Sequence, residues 1–240
     1  MKKNILEICC YNLPSAVTAT AAGADRIELC ADPVSGGTTP AIGLISMVRK
    51  KSHLELWPII RTRGGDFLFS DEEFDVMLHD VAACRSAGCE GIVTGMLSPD
   101  GRVDKTRMEK IIGAAYPLGV CFHRAFDWTS NPFEALEDII SLGCERILTS
   151  GQQPTAILGA SLIKDLTDQA AGRIVIMPGS GVRAENILDL KKSTGATEFH
   201  SSARMTKKSE MEFIQPLMKE EPEMILADRL EIEKMLSLIR

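Results

Sequence analysis

Short apolar runs alternate along the chain with longer stretches of mixed polarity, and a glycine sits at many of the junctions. One junction recurs four times: AGADRIEL at 22–29, AGCEGIVTG at 87–95, LGCERILTS at 142–150 and TGATEFHSS at 194–202. Each copy has a glycine, a small residue, an acidic residue within one or two positions and then an apolar run. Glycine ends a helix in the left-handed conformation. The small residue packs under a sheet, and the apolar run is a buried parallel strand. Four further apolar runs, residues 5–9, 56–60, 120–122 and 174–177, fall between these copies. Helical stretches separate them at about 15–22, 41–51, 70–86, 105–115, 132–142, 161–171, 186–193 and 228–239. Thr39 and Pro40 are the expected start of the second helix, and SDEE at 70–73 reads as a capping box.

Eight strands alternating with eight helices predict an α/β chain folded as a single (β/α)8 TIM-like barrel. An open doubly wound sheet is the alternative, but its Gly-rich first turn is missing from CCYNLPS at 9–15. One domain is expected over residues 1–240. Residues 205–222 are charged, carry Pro216 and Pro222, and are expected to form an irregular loop.

Composition narrows the partners. The chain is 45% hydrophobic and 25% charged, as soluble globular proteins are. A net charge of −6 argues against a nucleic-acid surface and against a polybasic membrane anchor. No apolar run reaches the length of a membrane span. The first residues, interrupted by Glu7, do not make a secretory signal. A cytoplasmic protein is expected. Its seven cysteines are odd in number and show no CxxC spacing, so free thiols are expected.

In such barrels, sites gather at the C-terminal strand ends and the loops that follow. Those ends supply Glu7 and Cys9, then Glu28, Cys30 and Asp32, then Arg61, Arg63 and Asp66 of RTRGGDF, and then His123, Arg124 and Asp127 of FHRAFD. Gly179 and Gly181 follow in PGSGV, and His200 and Ser202 in HSSAR. The opposite strand ends show no comparable list, so a single polar mouth is expected. Glu7 and Cys9 share one strand face, as do Glu28 and Cys30, because side chains alternate. With a matching register the two thiols would lie side by side at the rim, with both glutamates one layer deeper. Paired thiolates suit Cu(I). The same cysteines also read as small buried hydrophobes. The glutamates need partners, for which Arg61, Arg63 and Arg124 are available, and read either as a structural ion network or as acid–base groups raised by burial. His123 and His200 are candidate bases or metal ligands. Arg61, Arg63, Arg124, Gly179, Gly181 and Ser202 are candidate anion-binding residues. Cys84, Cys89 and Cys144 read as structural, and His53 and His79 as surface residues.

Taken together, LEIC, GADRIELC with GGTTPAIGLI, IIRTRGGDF, FHRAFD, RILTSGQ, PGSGV with Asn186, and EFHSSAR resemble the copper homeostasis protein CutC family over about residues 4–204. Thr62 stands where that family has proline between the two arginines, and Ser180 where it has the middle glycine. The resemblance implies a cytosolic TIM-barrel-like fold, a homo-oligomer such as a dimer, and a role in copper handling, with Cys9 and Cys30 as Cu(I) ligands. The residues also support an enzyme working by acid–base chemistry on a small anionic molecule, such as a phosphorylated one, with Glu7, Glu28, His123 and His200 as catalytic groups. A purely structural protein is the third reading; charge placed inside a barrel argues against it.

Overall fold

The fold follows from where the chain is forced to turn. The computed structural model describes residues 3–219 and 222–240. The glycines of the four repeated junctions, Gly23, Gly88, Gly143 and Gly195, all have positive φ, between 70° and 84°. Each stops a helix and sends the chain into a strand. The strands are β1 (Ile5–Cys10), β2 (Arg26–Leu29), β3 (Glu55–Pro58), β4 (Gly91–Thr94), β5 (Gly119–Phe122), β6 (Arg146–Thr149), β7 (Val175–Pro178) and β8 (Glu198–Ser201). Helices alternate with them: α1 (Leu13–Ala22), α2 (Ile42–Lys51), α3 (Asp71–Ser86), α4 (Lys105–Ala115), α5 (Pro132–Leu142), α6 (Ala160–Ala170), α7 (Ile187–Thr194) and α8 (Arg229–Ile239).

The strands are parallel in the orders β3-β2-β1-β8 and β4-β5-β6-β7. The halves join where Ile60 N–H donates to Val93 O at 2.7 Å and where β7 lies against β8. The result is a (β/α)8 barrel. Alternation sorts each strand into two faces. Leu6, Ile8, Ile27, Leu29, Ile92 and Phe199 pack outward under the helices. Cys9, Cys30, Trp57, Val93, Cys121, Leu148 and Met177 fill the interior.

Local capping largely follows the sequence. Ser70 and Glu73 form the expected capping box on α3. Asn12 caps α1, which starts two residues earlier than expected. Thr39 does not cap α2: its hydroxyl accepts the Arg61 N–H at 3.0 Å, and α2 begins without a side-chain cap. Residues 204–208 are not irregular. They form β9 (Arg204–Lys208), paired antiparallel with β10 (Glu223–Ala227). This hairpin is tied back to α1, where Asn12 Nδ2 donates to Ile225 O at 2.8 Å. Residues 220 and 221 of the expected loop lie outside the described residues.

The N-terminal end of the barrel corrects the expectation of a single polar end. Arg26 bonds Glu7, Glu55 and Glu198 at 3.0–3.1 Å. Arg146 bonds Glu198 and Glu145, both at 2.8 Å. The Trp57 ring lies beneath the guanidinium groups of Arg26 and Arg146, at 5.4 and 4.6 Å. Gly91 and Gly119 make room for this indole: a Cβ on Gly91 would stand 2.3 Å from the ring, and one on Gly119 2.5 Å. Gly91→Ala is expected to destabilise the barrel by about 1–3 kcal/mol through overpacking, read by urea unfolding. The loss should shrink in a Trp57→Leu background. A full-sized loss in that background would show that the indole is not the obstacle.

Candidate functional site

The C-terminal ends of the strands open into a cavity of about 510 Å³. Its wall includes Cys9, Tyr11, Glu28, Arg61, His123, Arg124, Gly181, His200 and Ser202. The strand register explains how these residues meet. Glu7 is level with Arg26 on β2 and with His200 on β8, while Cys9 is level with Glu28. The strands are therefore staggered, and the expected layering of thiols above glutamates is corrected. Cys9 shares its layer with Glu28, and Cys30 stands one step further on, just past the end of β2. The two sulfurs still approach to 3.6 Å, and Cys30 Sγ lies 3.4 Å from Glu28 Oε2. Cys9, Glu28 and Cys30 offer three donor atoms within 4.8 Å of one another. Two soft thiols and one carboxylate suit a thiophilic ion such as Cu(I).

His200 ties this cluster to the barrel floor. Its Nδ1 is 2.7 Å from Glu7 Oε1, and its Nε2 is 3.7 Å from Glu28 Oε2. Burial alone would raise the Glu7 carboxyl, but His200 and Arg26 outweigh it and hold that group down to about 2. Burial would likewise depress His200, yet Glu28, Cys9 and Glu7 raise it well above the ordinary imidazole value. The hydrogen bond with Cys30 pulls the Cys9 thiol well down against burial, helped by His200 and Tyr11. Burial and the neighbouring Cys9 charge push Cys30 and Glu28 upward. These influences favour an ionised Glu7, a protonated His200 and a Cys9 thiolate, and oppose ionisation of Cys30 and Glu28.

Across the cavity, His123 is the opposite case. Burial, and then the charge of Arg61, lowers it to about 3, so it is neutral. The Ala125 N–H donates to its Nδ1 at 3.2 Å. Arg124 reaches the wall while paired to Asp127 at 2.8 Å.

A sequence model of the CutC family matches residues 4–205. A CutC family protein of Xylella fastidiosa is 51% identical over 199 residues, covering 83% of this chain and 74% of its own. A human copper homeostasis protein cutC homolog is 46% identical over 209 residues, 87% of this chain and 77% of its own. The chain belongs to the CutC family. The crystal structure of a CutC protein from Streptococcus agalactiae superposes with a TM-score of 0.79 at 30% identity, over 83% of this chain and 98% of that one.

Within this CutC barrel, the expected residues divide. Cys9, Glu28, Arg61, Arg124, His123, His200, Gly181 and Ser202 come together in the cavity wall. Glu7 lies beneath it and acts on it through His200. Its guanidinium partner is Arg26 rather than Arg61, Arg63 or Arg124. Arg63 is not in the wall. Its side chain turns to Glu73 at 2.6 Å and stacks on Phe69, because Arg63 lies well past the end of β3, in the loop leading to α3. Gly179 serves packing instead: a Cβ there would stand 2.4 Å from Leu148 and 3.4 Å from His200. Sequence reasoning passed over Tyr11, Arg183 and Arg204, which also line the cavity. Tyr11 continues the inward face of Glu7 and Cys9 by one more step of two, a signal available in the sequence. Arg183 and Arg204 directly follow or close the motifs PGSGV and HSSAR.

Proposed function

We propose that this protein binds Cu(I) through Cys9 and Cys30 and serves copper homeostasis in the cytoplasm. The supporting observation is the 3.6 Å approach of the two sulfurs beside Glu28, with Cys9 in the cavity wall and Cys30 buried outside it. Thiolates are the soft donors that select Cu(I), and the Cys9 environment favours that form. The names of the human and mouse CutC relatives point the same way. Anaerobic Cu(I) titration against a competing chelator tests the reading. One equivalent should bind to the wild type, and binding should vanish in the Cys9→Ser, Cys30→Ser double variant. Binding that survives the double substitution would move the site elsewhere.

The size of the cavity favours a second reading. A space of about 510 Å³ falls in the range of small-molecule sites and far exceeds one ion. A small anionic metabolite bound there would meet Glu28 and His200 as acid–base groups, with Cys9 alongside. Glu28→Gln would abolish such an activity, and unchanged turnover in that variant would remove Glu28 from it.

A further inference from the structure

Arg61 is a buried cation without an ion pair; the exposed Asp32 and Asp66 act on it only through space. It is 4% exposed, and among the described residues no carboxylate pairs with it. Its Nη1 donates to the carbonyls of Ser35 and Gly37 at 2.8 and 3.1 Å, and its Nη2 to Gly65 O at 2.7 Å. Its Nε is buried with no hydrogen-bond partner. An isolated buried charge is costly unless something compensates it.

His123 has a matching vacancy in its bonding. It is 3% exposed. Because Ala125 N–H donates to Nδ1, a neutral ring carries its proton on Nε2. That Nε2 is also buried without a partner. One aromatic ring holds both groups in the same neighbourhood. Phe67 stacks under the Arg61 guanidinium at 4.7 Å and lies 5.0 Å from the His123 ring. Both residues and Phe67 line the cavity. Buried donors left unmade are rare in native proteins.

What fits is an acceptor with one negative charge and two oxygens. Of the other arginines in the wall, Arg124 pairs with Asp127 and Arg183 with Glu231 at 3.1 Å, while Arg204 is exposed at the rim and has no ion pair among the described residues. Two unpartnered N–H groups against one aromatic ring match the two oxygens of a carboxylate better than the four of a phosphate. We propose that this wall of the cavity binds the carboxylate of a small organic acid, with Arg61 Nε–H and His123 Nε2–H as its donors. The assignment rests on the second reading above and gives its anion a chemical class. Ile59, Leu148 and Trp128 supply apolar wall for the rest of the acid, and the thiol cluster lies across the same space.

The test is calorimetric titration of the full chain with acetate, pyruvate and succinate, with acetamide and inorganic phosphate as controls. Amide-type resonances of Arg61 Nε–H and His123 Nε2–H are followed in parallel by ¹⁵N correlation spectra. At least one of the acids should bind at one site and shift both resonances, and acetamide should not. His123→Phe keeps the ring volume and removes the donor. It should weaken binding at least about tenfold, a change of about 1.4 kcal/mol, and His123→Gln should restore part of it. Arg61→Lys should weaken binding similarly. Binding should persist in the Cys9→Ser, Cys30→Ser variant, which separates it from any outcome for copper. Tighter binding of phosphate than of every acid would overturn the carboxylate assignment while leaving a small-anion site. No binding of any anion would overturn both. Equal binding in wild type and His123→Phe would overturn the role of His123.

Discussion

Replacing Arg26 by methionine is expected to cost about 3–5 kcal/mol of stability, the range found when one partner is removed from a buried ion pair. Arg26 is 3% exposed and serves Glu7, Glu55 and Glu198 at once. Methionine keeps much of its length but leaves Glu7 and Glu198 at the barrel floor with less compensating charge. Urea unfolding, followed by circular dichroism, gives the magnitude. Acid shows the sign. Glu7 has its carboxyl lowered to about 2 in the folded chain, against about 4.3 for an unperturbed glutamate. Its stabilisation is therefore complete above about pH 4.3, and it is lost as pH falls through the folded value of about 2. Without Arg26 the folded value rises towards the unfolded one, and less stability remains to be lost at low pH. A loss in Arg26→Met below about 1 kcal/mol would place the network in the class of near-neutral ion pairs.

Cys9 is expected to be the cavity thiol that reacts with iodoacetamide below neutral pH. The thiolate is the nucleophile, and Cys9 is drawn down by Cys30 and then, against burial, by His200 and Tyr11. Burial holds Cys10, Cys121 and Cys144 up. Cys89 is also lowered, by Cys84, but lies outside the cavity wall. Peptide mapping after short alkylation at pH 6 should find Cys9 labelled first. His200→Gln removes the adjacent cation and should slow that labelling at pH 6 by about tenfold for each pK unit by which the thiol rises. An alkylation profile against pH that is identical in wild type and His200→Gln would deny His200 its part in holding the thiolate.

The order of strands and helices was open to reading because each junction carries its own chemistry. Gly23, Gly88, Gly143 and Gly195 need the left-handed region, and the apolar runs after them have no other place to go than a buried sheet. The site was legible as a set of residue types more than as an arrangement. A barrel closes only with staggered strands, and nothing local in LEIC or RIELC states the stagger that puts Cys9 beside Glu28. Arg26 was hidden for a related reason. It follows Asp25 at a junction, where a charged residue ordinarily faces solvent, and only closure of the barrel turns it inward under Glu7. Arg61 and Arg63 look equivalent in RTRGGDF, yet alternation applies only while the chain is extended, and the two separate at the loop. The β9–β10 hairpin was obscured by its charge: RMTKK has the polarity of a loop, and its pairing with Glu223–Ala227 depends on residues far along the chain.

The Trp57 indole, stacked against Arg26 and Arg146 and fitted to Gly91 and Gly119, stoppers the barrel from below. The cavity above it is a cul-de-sac, whose wall includes Cys9 but neither Trp57 nor the two arginines. Whatever reaches the Cys9 sulfur must leave by the mouth it entered, and it shares that space with anything held against Arg61 and His123. A molecule seated on that wall would act as a cork, and the residence time of anything held at Cys9 would then depend on how long the cork stays in place.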